Sequence, residues 1–131
     1  MVLIDTSVLI DYFKDINNES TRKFQTILDS GIPFGINSLI YQELLQGVKT
    51  EKAFQELKEY LGSQRFYNLR HERESFAQDA LIYLKCRKKG ITINSTIDCI
   101  IAQTALENNL LLLHNDSDFE KMAKVVNLKF F

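Results

Sequence analysis

The sequence has few of the residues that mark special classes of protein. Its 131 residues include one proline, five glycines and two cysteines, so no linker or low-complexity segment divides the chain. Cys86 and Cys99 fit no metal-binding or redox spacing, which indicates free thiols in a reducing compartment. We therefore expect one domain, residues 1–131, of a size that buries a single core.

Long hydrophobic runs and an excess of one charge are also missing. Leu110–Leu113 is too short to span a bilayer. Val2–Ile4 is too short for a signal peptide and has no basic segment before it. The net charge of −1 neither favours nor opposes nucleic acid as a partner. From these features we expect a cytoplasmic protein that does not enter a membrane.

Short apolar runs alternate with amphipathic stretches along the whole chain. This alternation predicts a βαβα fold around a parallel sheet. Strands are predicted at Val2–Ile4, Phe34–Ile36, Phe66–Asn68, Leu110–Leu113 and Leu128–Phe130. Helices are predicted near 18–29, from Ser38, near 51–61, near 73–89, near 96–108 and after Asp116.

The longest predicted helix, 73–89, carries apolar residues at helical spacing, and Gly90 fits the position that ends it. The spacing predicts a buried face made of Phe76, Ala77, Ala80, Leu81 and Leu84. Aromatic residues beside aliphatic ones are likewise predicted to pack in the core: Tyr12, Phe13, Phe24, Tyr60 and Phe76. Some apolar surface on the early helices is an alternative partner-binding face.

Acidic residues recur where a parallel α/β fold concentrates its chemistry. Asp5 closes the first strand, Glu43 lies in the helix after the second, and Asp98 begins the helix before the fourth. Asp116 and Asp118 follow the fourth strand directly. Ligands of open α/β sheets bind at the carboxyl ends of strands, near the topological switch point. We therefore expect these acids to converge on one pocket.

Most of these acids also have an ordinary structural interpretation. Asp5 and Asp116 suit N-cap positions, and Ser95 to Asp98 matches a loose capping box. Glu43 is the exception, because it lies well inside its helix among apolar neighbours.

Convergent carboxylates repel one another, and without a cation they would need strongly raised pKa values. Their hard oxygen ligands suit Mg²⁺, or Mn²⁺. His71 and His114 are isolated in the sequence, so zinc is not expected.

Four blocks of sequence carry a family resemblance: VLIDTSVLIDY, YQELLQGV, TIDCIIAQTALENNL and LLLHNDSDFEKMA. In this order, and with this spacing, they resemble the PIN-domain nucleases, and most closely the VapC toxins of type II toxin–antitoxin modules. The resemblance spans essentially the whole chain. It implies a three-layer α/β/α sandwich with a central parallel sheet of about five strands, and an acidic, Mg²⁺-dependent endoribonuclease site.

The resemblance also assigns residues and partners. The family's four acidic positions match Asp5, Glu43, Asp98 and Asp116. Asp118 matches the aspartate of an Asp-Phe pair, and Thr6 and Ser7 match a small polar pair that orients water or phosphate. The stretch 115–118 leaves open which aspartate reaches the metal. The family further implies RNA as substrate, a homodimer, and a VapB-like antitoxin that blocks the acidic site.

The resulting hypothesis is metal-assisted phosphodiester hydrolysis. One Mg²⁺, held mainly by Asp5 and Asp98, would activate a water, and a second, near Glu43 and Asp116, would stabilise the leaving 3′ oxygen. A basic run at 85–89, with Arg65, Arg70 and Arg73 nearby in sequence, is either a phosphate contact or a solvated helix end.

Other classes fit the residues less well. A haloacid-dehalogenase phosphatase needs a second aspartate where Ser7 stands, and a receiver domain needs an acidic pair near the first strand. Within the PIN family, two alternatives stay open: a housekeeping endonuclease of RNA processing, and a degenerate module that only binds RNA or protein. The small size of the chain favours the toxin over a housekeeping endonuclease. The full set of acids argues against a degenerate binding module.

Overall fold

Four parallel strands form the central sheet. The computed structural model, which describes residues 1–131, contains β1 (Val2–Ile4), β2 (Phe34–Ile36), β3 (Arg65–Phe66) and β4 (Leu111–Leu113). Their order is β3-β2-β1-β4, and every pairing is parallel. The sheet therefore grows to either side of β1, and the switch point lies between β1 and β4.

Seven helices cover the sheet: α1 (Thr6–Phe13), α2 (Glu19–Ser30), α3 (Ser38–Gln46), α4 (Glu51–Gly62), α5 (Arg73–Lys88), α6 (Thr96–Glu107) and α7 (Ser117–Met122). The first four pack among themselves, α1 on α2 and α3, and α3 on α4. The last three form a second packed group. Two helix groups around one sheet confirm the predicted three-layer α/β/α fold. None of the helices combines the length and apolar character that crossing a bilayer requires.

Local sequence sets where the helices begin and end. Side chains accept hydrogen bonds from first-turn N–H groups of α2, α3, α4 and α6, and these caps are Asn18, Asn37, Thr50 and Ser95. Gly90 follows α5 with φ of 73°, a left-handed conformation that glycine adopts without a steric cost. The predicted helix end at Gly90 is confirmed.

The core is continuous from one helix layer through the sheet to the other. All three side chains of β1 are buried, as expected for an inner strand of a parallel sheet covered on both faces. Ile27 of α2, Ile101 of α6 and Phe119 of α7 belong to the same apolar cluster. This packing holds the strand ends, and the side chains that follow them, in fixed positions.

The edges of the sheet are shorter than the sequence predicts. β3 ends at Phe66 instead of reaching Asn68, and Leu128–Phe130 contributes one isolated bridge to β4 instead of a fifth strand. Beyond β3, the side-chain oxygen of Asn68 accepts hydrogen bonds from the backbone N–H and the hydroxyl of Ser38.

The buried face of α5 differs from the predicted one. Phe76 and Leu84 are 54% and 42% exposed, and Ala77 and Ala80 are exposed as well, while Leu81 is only half-buried. The buried side chains of the helix are Ser75, Ile82 and Cys86. Both sets recur at helical spacing, so periodicity alone does not show which one faces α6 and α7.

Candidate active site

The carboxyl ends of β1 and β4 lie side by side at the switch point. Ile4 pairs with Leu113 in parallel register, and the backbone N–H of Asp5 donates to the Leu113 carbonyl at 2.9 Å. The residue after β1 and the loop after β4 are therefore brought together by the sheet itself.

Asp5 is both a helix cap and a member of an acidic cluster. Its Oδ2 accepts hydrogen bonds from the backbone N–H and the hydroxyl of Ser7 at the start of α1. Burial raises the pKa of Asp5, the Ser7 and Thr6 donors oppose that rise, and the charge of Asp116 adds to it. The capping interpretation is therefore correct but incomplete.

Ser7 joins the two strand ends. Its hydroxyl donates to Asp5 and accepts a hydrogen bond from the backbone N–H of Asn115 at 3.0 Å. The side-chain amide of Asn115 donates to Asp11 of α1 at 3.2 Å. Asn115 thus secures the loop after β4, and the acids of that loop are Asp116 and Asp118.

Three carboxylates lie within reach of one cation. Oxygen atoms of Asp98, Asp116 and Asp118 all lie within 4.8 Å of one another. Asp98 comes from the first turn of α6, and the other two come from the start of α7. The pKa of Asp98 is raised to about 8, mainly by burial and then by the charges of Asp5 and Asp116.

The two aspartates after β4 differ in their partners. Asp118 is buried, its Oδ2 accepts a hydrogen bond from the backbone N–H of Asn94 at 3.0 Å, and its Oδ1 lies 3.4 Å from the Lys121 ammonium. Asp116 caps α7, with its Oδ1 accepting from the Asp118 N–H at 2.9 Å. Asp118 is therefore tied to the fold through both oxygens, whereas the cap occupies only one oxygen of Asp116.

Glu43 enters the cluster from α3. Burial and the charge of Asp5 raise its pKa, and the neighbouring Thr6 hydroxyl offsets part of that rise. Thr6 is itself buried, yet its Oγ1 makes no hydrogen bond of good geometry. A buried polar atom without a partner costs about 1–3 kcal/mol, so this hydroxyl points to a group that the site is built to accept.

These side chains fit a hard divalent cation. They offer oxygen atoms only, which Mg²⁺ and Mn²⁺ prefer. The pKa values of Asp5, Glu43 and Asp98 are all raised, so the cluster holds more acids than it can ionise alone. A cation would remove that conflict, and a water or phosphate oxygen bound to it would give the buried Thr6 hydroxyl a partner of good geometry.

His114 contacts the cluster, although it is isolated in the sequence. Its side chain is only 9% exposed and packs against Phe119 and Phe130, with ring centroids 5.1 and 4.6 Å away. Its Nδ1 accepts a hydrogen bond from the backbone N–H of Asp116 at 3.1 Å. One signal of this role was present in the sequence, namely a histidine between a buried strand and an acidic loop.

The basic residues near α5 do not form one patch. The helix has 16 residues and is about 24 Å long, which separates Arg73 from Lys88. Before its first turn, the backbone N–H of Arg70 donates to the Glu107 carboxylate, at the other end of α6 from Asp98. In the last turn, burial and the nearby charge of Asp118 raise the pKa of the Cys86 thiol. Only the basic C-terminal end of α5 therefore lies near the acids.

An apolar groove opens between α1, α3 and α4. Its volume is about 560 Å³, and its lining includes Ile10, Phe13, Leu44, Val48, Leu57 and Tyr60. Phe13 and Tyr60 meet edge to face with ring centroids 6.2 Å apart, and they are 42% and 52% exposed. The predicted core positions of Phe13, Tyr60 and Phe76 are therefore wrong, whereas Phe24 is buried as predicted.

Comparison with known proteins identifies the family. Residues 2–125 match the family described as PIN domain. Ribonuclease VapC11 of Mycobacterium tuberculosis is 27% identical over 130 residues, which are 98% of this chain and 96% of that protein.

Two solved structures share the fold. VapBC2 from Rickettsia felis, bound to a promoter DNA fragment, has a TM-score of 0.74 at 18% identity, covering 100% of this chain and 98% of its own. FitAcB from Neisseria gonorrhoeae has a TM-score of 0.72 at 22% identity, covering 100% of this chain and 96% of its own. The match over nearly the whole sequence shows that the chain belongs to the PIN domain family.

Proposed function

We propose that this chain is the toxin of a type II toxin–antitoxin module, and that it is a divalent-metal-dependent endoribonuclease. The observation that carries the proposal is the convergence of acids at the β1–β4 switch point, where three carboxylates lie within 4.8 Å of one another. The full-length similarity to a ribonuclease of the VapC type supports RNA as the substrate.

Asp5, Asp98 and Asp116 are the residues we propose as the main ligands of Mg²⁺ or Mn²⁺, with Glu43 beside them. When bound, such a cation polarises the scissile phosphate and lowers the pKa of the attacking water. Asp98 must give up its proton to act as a ligand, because its pKa is about 8 without metal. Asp118, whose oxygens contact Asn94 and Lys121, supports the loop.

Thr6 and Ser7 have different proposed roles, one toward the substrate or water and the other toward a metal ligand. The Ser7 hydroxyl binds Asp5 and the loop after β4, so it orients a proposed ligand. The Thr6 hydroxyl has no partner of good geometry in the fold, and we propose that it donates to a water or a phosphate oxygen of the substrate.

We propose that the groove of α1, α3 and α4 receives a VapB-like antitoxin. The groove is mostly apolar and exposes Phe13 and Tyr60, which is typical of protein-binding surfaces. Both cysteines are free thiols, which supports the proposed cytoplasmic location.

Incubation of the purified chain, freed of any co-expressed partner, with mixed RNA and Mg²⁺ tests the activity. We expect products with 5′-phosphate and 3′-hydroxyl ends, and we expect no cleavage with EDTA or in Asp98→Asn. Asp29→Asn, which removes an exposed acid of α2, should cleave like the native chain. Products with 2′,3′-cyclic phosphates, or cleavage that persists in EDTA, would contradict the proposal.

A further inference from the structure

The loop after β4 is fastened at three consecutive residues. The His114 carbonyl accepts a hydrogen bond from the Ser20 hydroxyl at 3.0 Å. The Asn115 N–H donates to Ser7 at 3.0 Å, and the Asp116 N–H donates to Nδ1 of His114 at 3.1 Å. The first two fastenings come from α2 and α1. The third, directly at a candidate metal ligand, comes from the ring of His114 alone.

The imidazole of His114 is held in one orientation. Its Nδ1 faces the backbone N–H of Asp116 and accepts a hydrogen bond from it. On the other side of the ring, Nε2 lies 3.3 Å from Glu120 Oε1. Phe119 and Phe130 flank the ring. The position of the Nδ1 acceptor is therefore fixed from several sides.

The position of Asp116 depends on that acceptor. Its backbone is extended, with φ of −140°, and its carboxylate oxygen lies within 4.8 Å of those of Asp98 and Asp118. If Nδ1 were lost, the Asp116 N–H would turn toward another acceptor and would carry its carboxylate with it. Partners that orient metal ligands are commonly worth about 10–100-fold in metal affinity.

We propose that His114 is a positioning residue of the metal site, which holds Asp116 in place for a divalent cation by accepting its backbone N–H. The inference rests on the proposed metal-dependent function, and it adds to it a residue that contacts neither metal nor substrate. It predicts that the acceptor atom, and not the aromatic ring, is what the metal site requires.

Two substitutions separate the acceptor from the ring. In His114→Asn, Oδ1 stands as many bonds from the backbone as Nδ1 does, so an acceptor is kept while the ring packing is lost. In His114→Leu, an apolar side chain is kept against Phe119 and Phe130 while the acceptor is lost. Glu120→Gln is the control, since it removes only the charge that lies 3.3 Å from Nε2 and leaves Nδ1 unchanged. For each variant, Mn²⁺ affinity is measured by calorimetry and by electron paramagnetic resonance, and Tm is measured without metal.

We expect His114→Leu to weaken Mn²⁺ binding about tenfold, while His114→Asn and Glu120→Gln bind within about twofold of the native chain. Equal Mn²⁺ affinity in the native chain and His114→Leu would overturn the inference and leave the metal site intact. If the loss of Mn²⁺ affinity instead parallels the loss in Tm, and His114→Asn loses more of both than His114→Leu, the role of His114 is merely structural. If the native chain itself binds no Mn²⁺, the metal site of the proposed function is wrong and the inference falls with it.

Discussion

Among single residues, Asp98 shows most directly how the acidic cluster lowers the stability of the metal-free fold. Its pKa is about 8 instead of 3.8, because burial and the charges of Asp5 and Asp116 oppose ionisation. Between these two pH values the unfolded chain has lost the proton and the folded, metal-free chain keeps it. Because the folded state then binds more protons, this residue makes the metal-free protein less stable as pH rises from about 4 to about 8.

Asp98→Asn should therefore stabilise the metal-free protein at high pH. An amide cannot ionise, so we expect a higher Tm than the native chain at pH 8 in EDTA and a much smaller difference at pH 5. Scanning calorimetry at both pH values measures this, with Asp29→Asn as the exposed control. An equal change in Tm at the two pH values would contradict a pKa raised by the cluster.

The sequence placed the acids well and missed His114 for a physical reason. Asp5 follows a strand and Asp116 follows the neighbouring strand, so parallel register alone brings them together. The role of His114 depends on a ring that packs against Phe119 and Phe130, and these contacts belong to the tertiary structure. Local sequence gives no distance between them.

At the scale of elements, α5 is the helix whose buried face differs from the face that its apolar spacing predicts. Its central helical turns are predicted, but its buried stripe is the one with Ser75, Ile82 and Cys86, not the one with Phe76 and Leu84. The more apolar stripe remains in solvent, since α5 meets α6 and α7 through the other face. Amphipathic spacing predicts a helix, but the choice of face depends on its neighbours.

Two substitutions in α5 test the corrected face. Ile82→Ala should lower the free energy of unfolding by about 2–5 kcal/mol, because a buried side chain leaves a cavity. Phe76→Ser should change it by about 0.5 kcal/mol or less, because Phe76 is 54% exposed. Urea unfolding followed by circular dichroism measures both. A larger loss for Phe76→Ser than for Ile82→Ala would restore the original assignment.

At the scale of the whole molecule, the strand order determines where distant parts of the chain meet. Asp5, Asp98 and Asp116 are far apart in sequence, and the order β3-β2-β1-β4 gathers the elements that carry them at one edge. Exposed apolar surfaces lie in the groove that includes Phe13 and Tyr60 and on the exposed stripe of α5. The fold thus combines an acidic edge with exposed apolar surfaces suited to other chains.

Two exposed apolar surfaces on so small a chain lead us to expect a homodimer. Size-exclusion chromatography with light scattering should give twice the chain mass of 15.2 kDa in the absence of any partner. The same mass at several loading concentrations would show a stable dimer. A strict monomer at every concentration would contradict the expectation and leave both surfaces for other partners.

Calorimetric titration with Mn²⁺ tests the central claim, that the acids at the switch point hold a divalent cation. Because the pKa of Asp98 is about 8, we predict that binding at pH 7 releases about one proton from this residue. The heat of binding should then depend on the ionisation enthalpy of the buffer, and Asp98→Asn should weaken that dependence and lose most of the affinity. Absence of binding, or binding that Asp98→Asn leaves unchanged, would contradict the account.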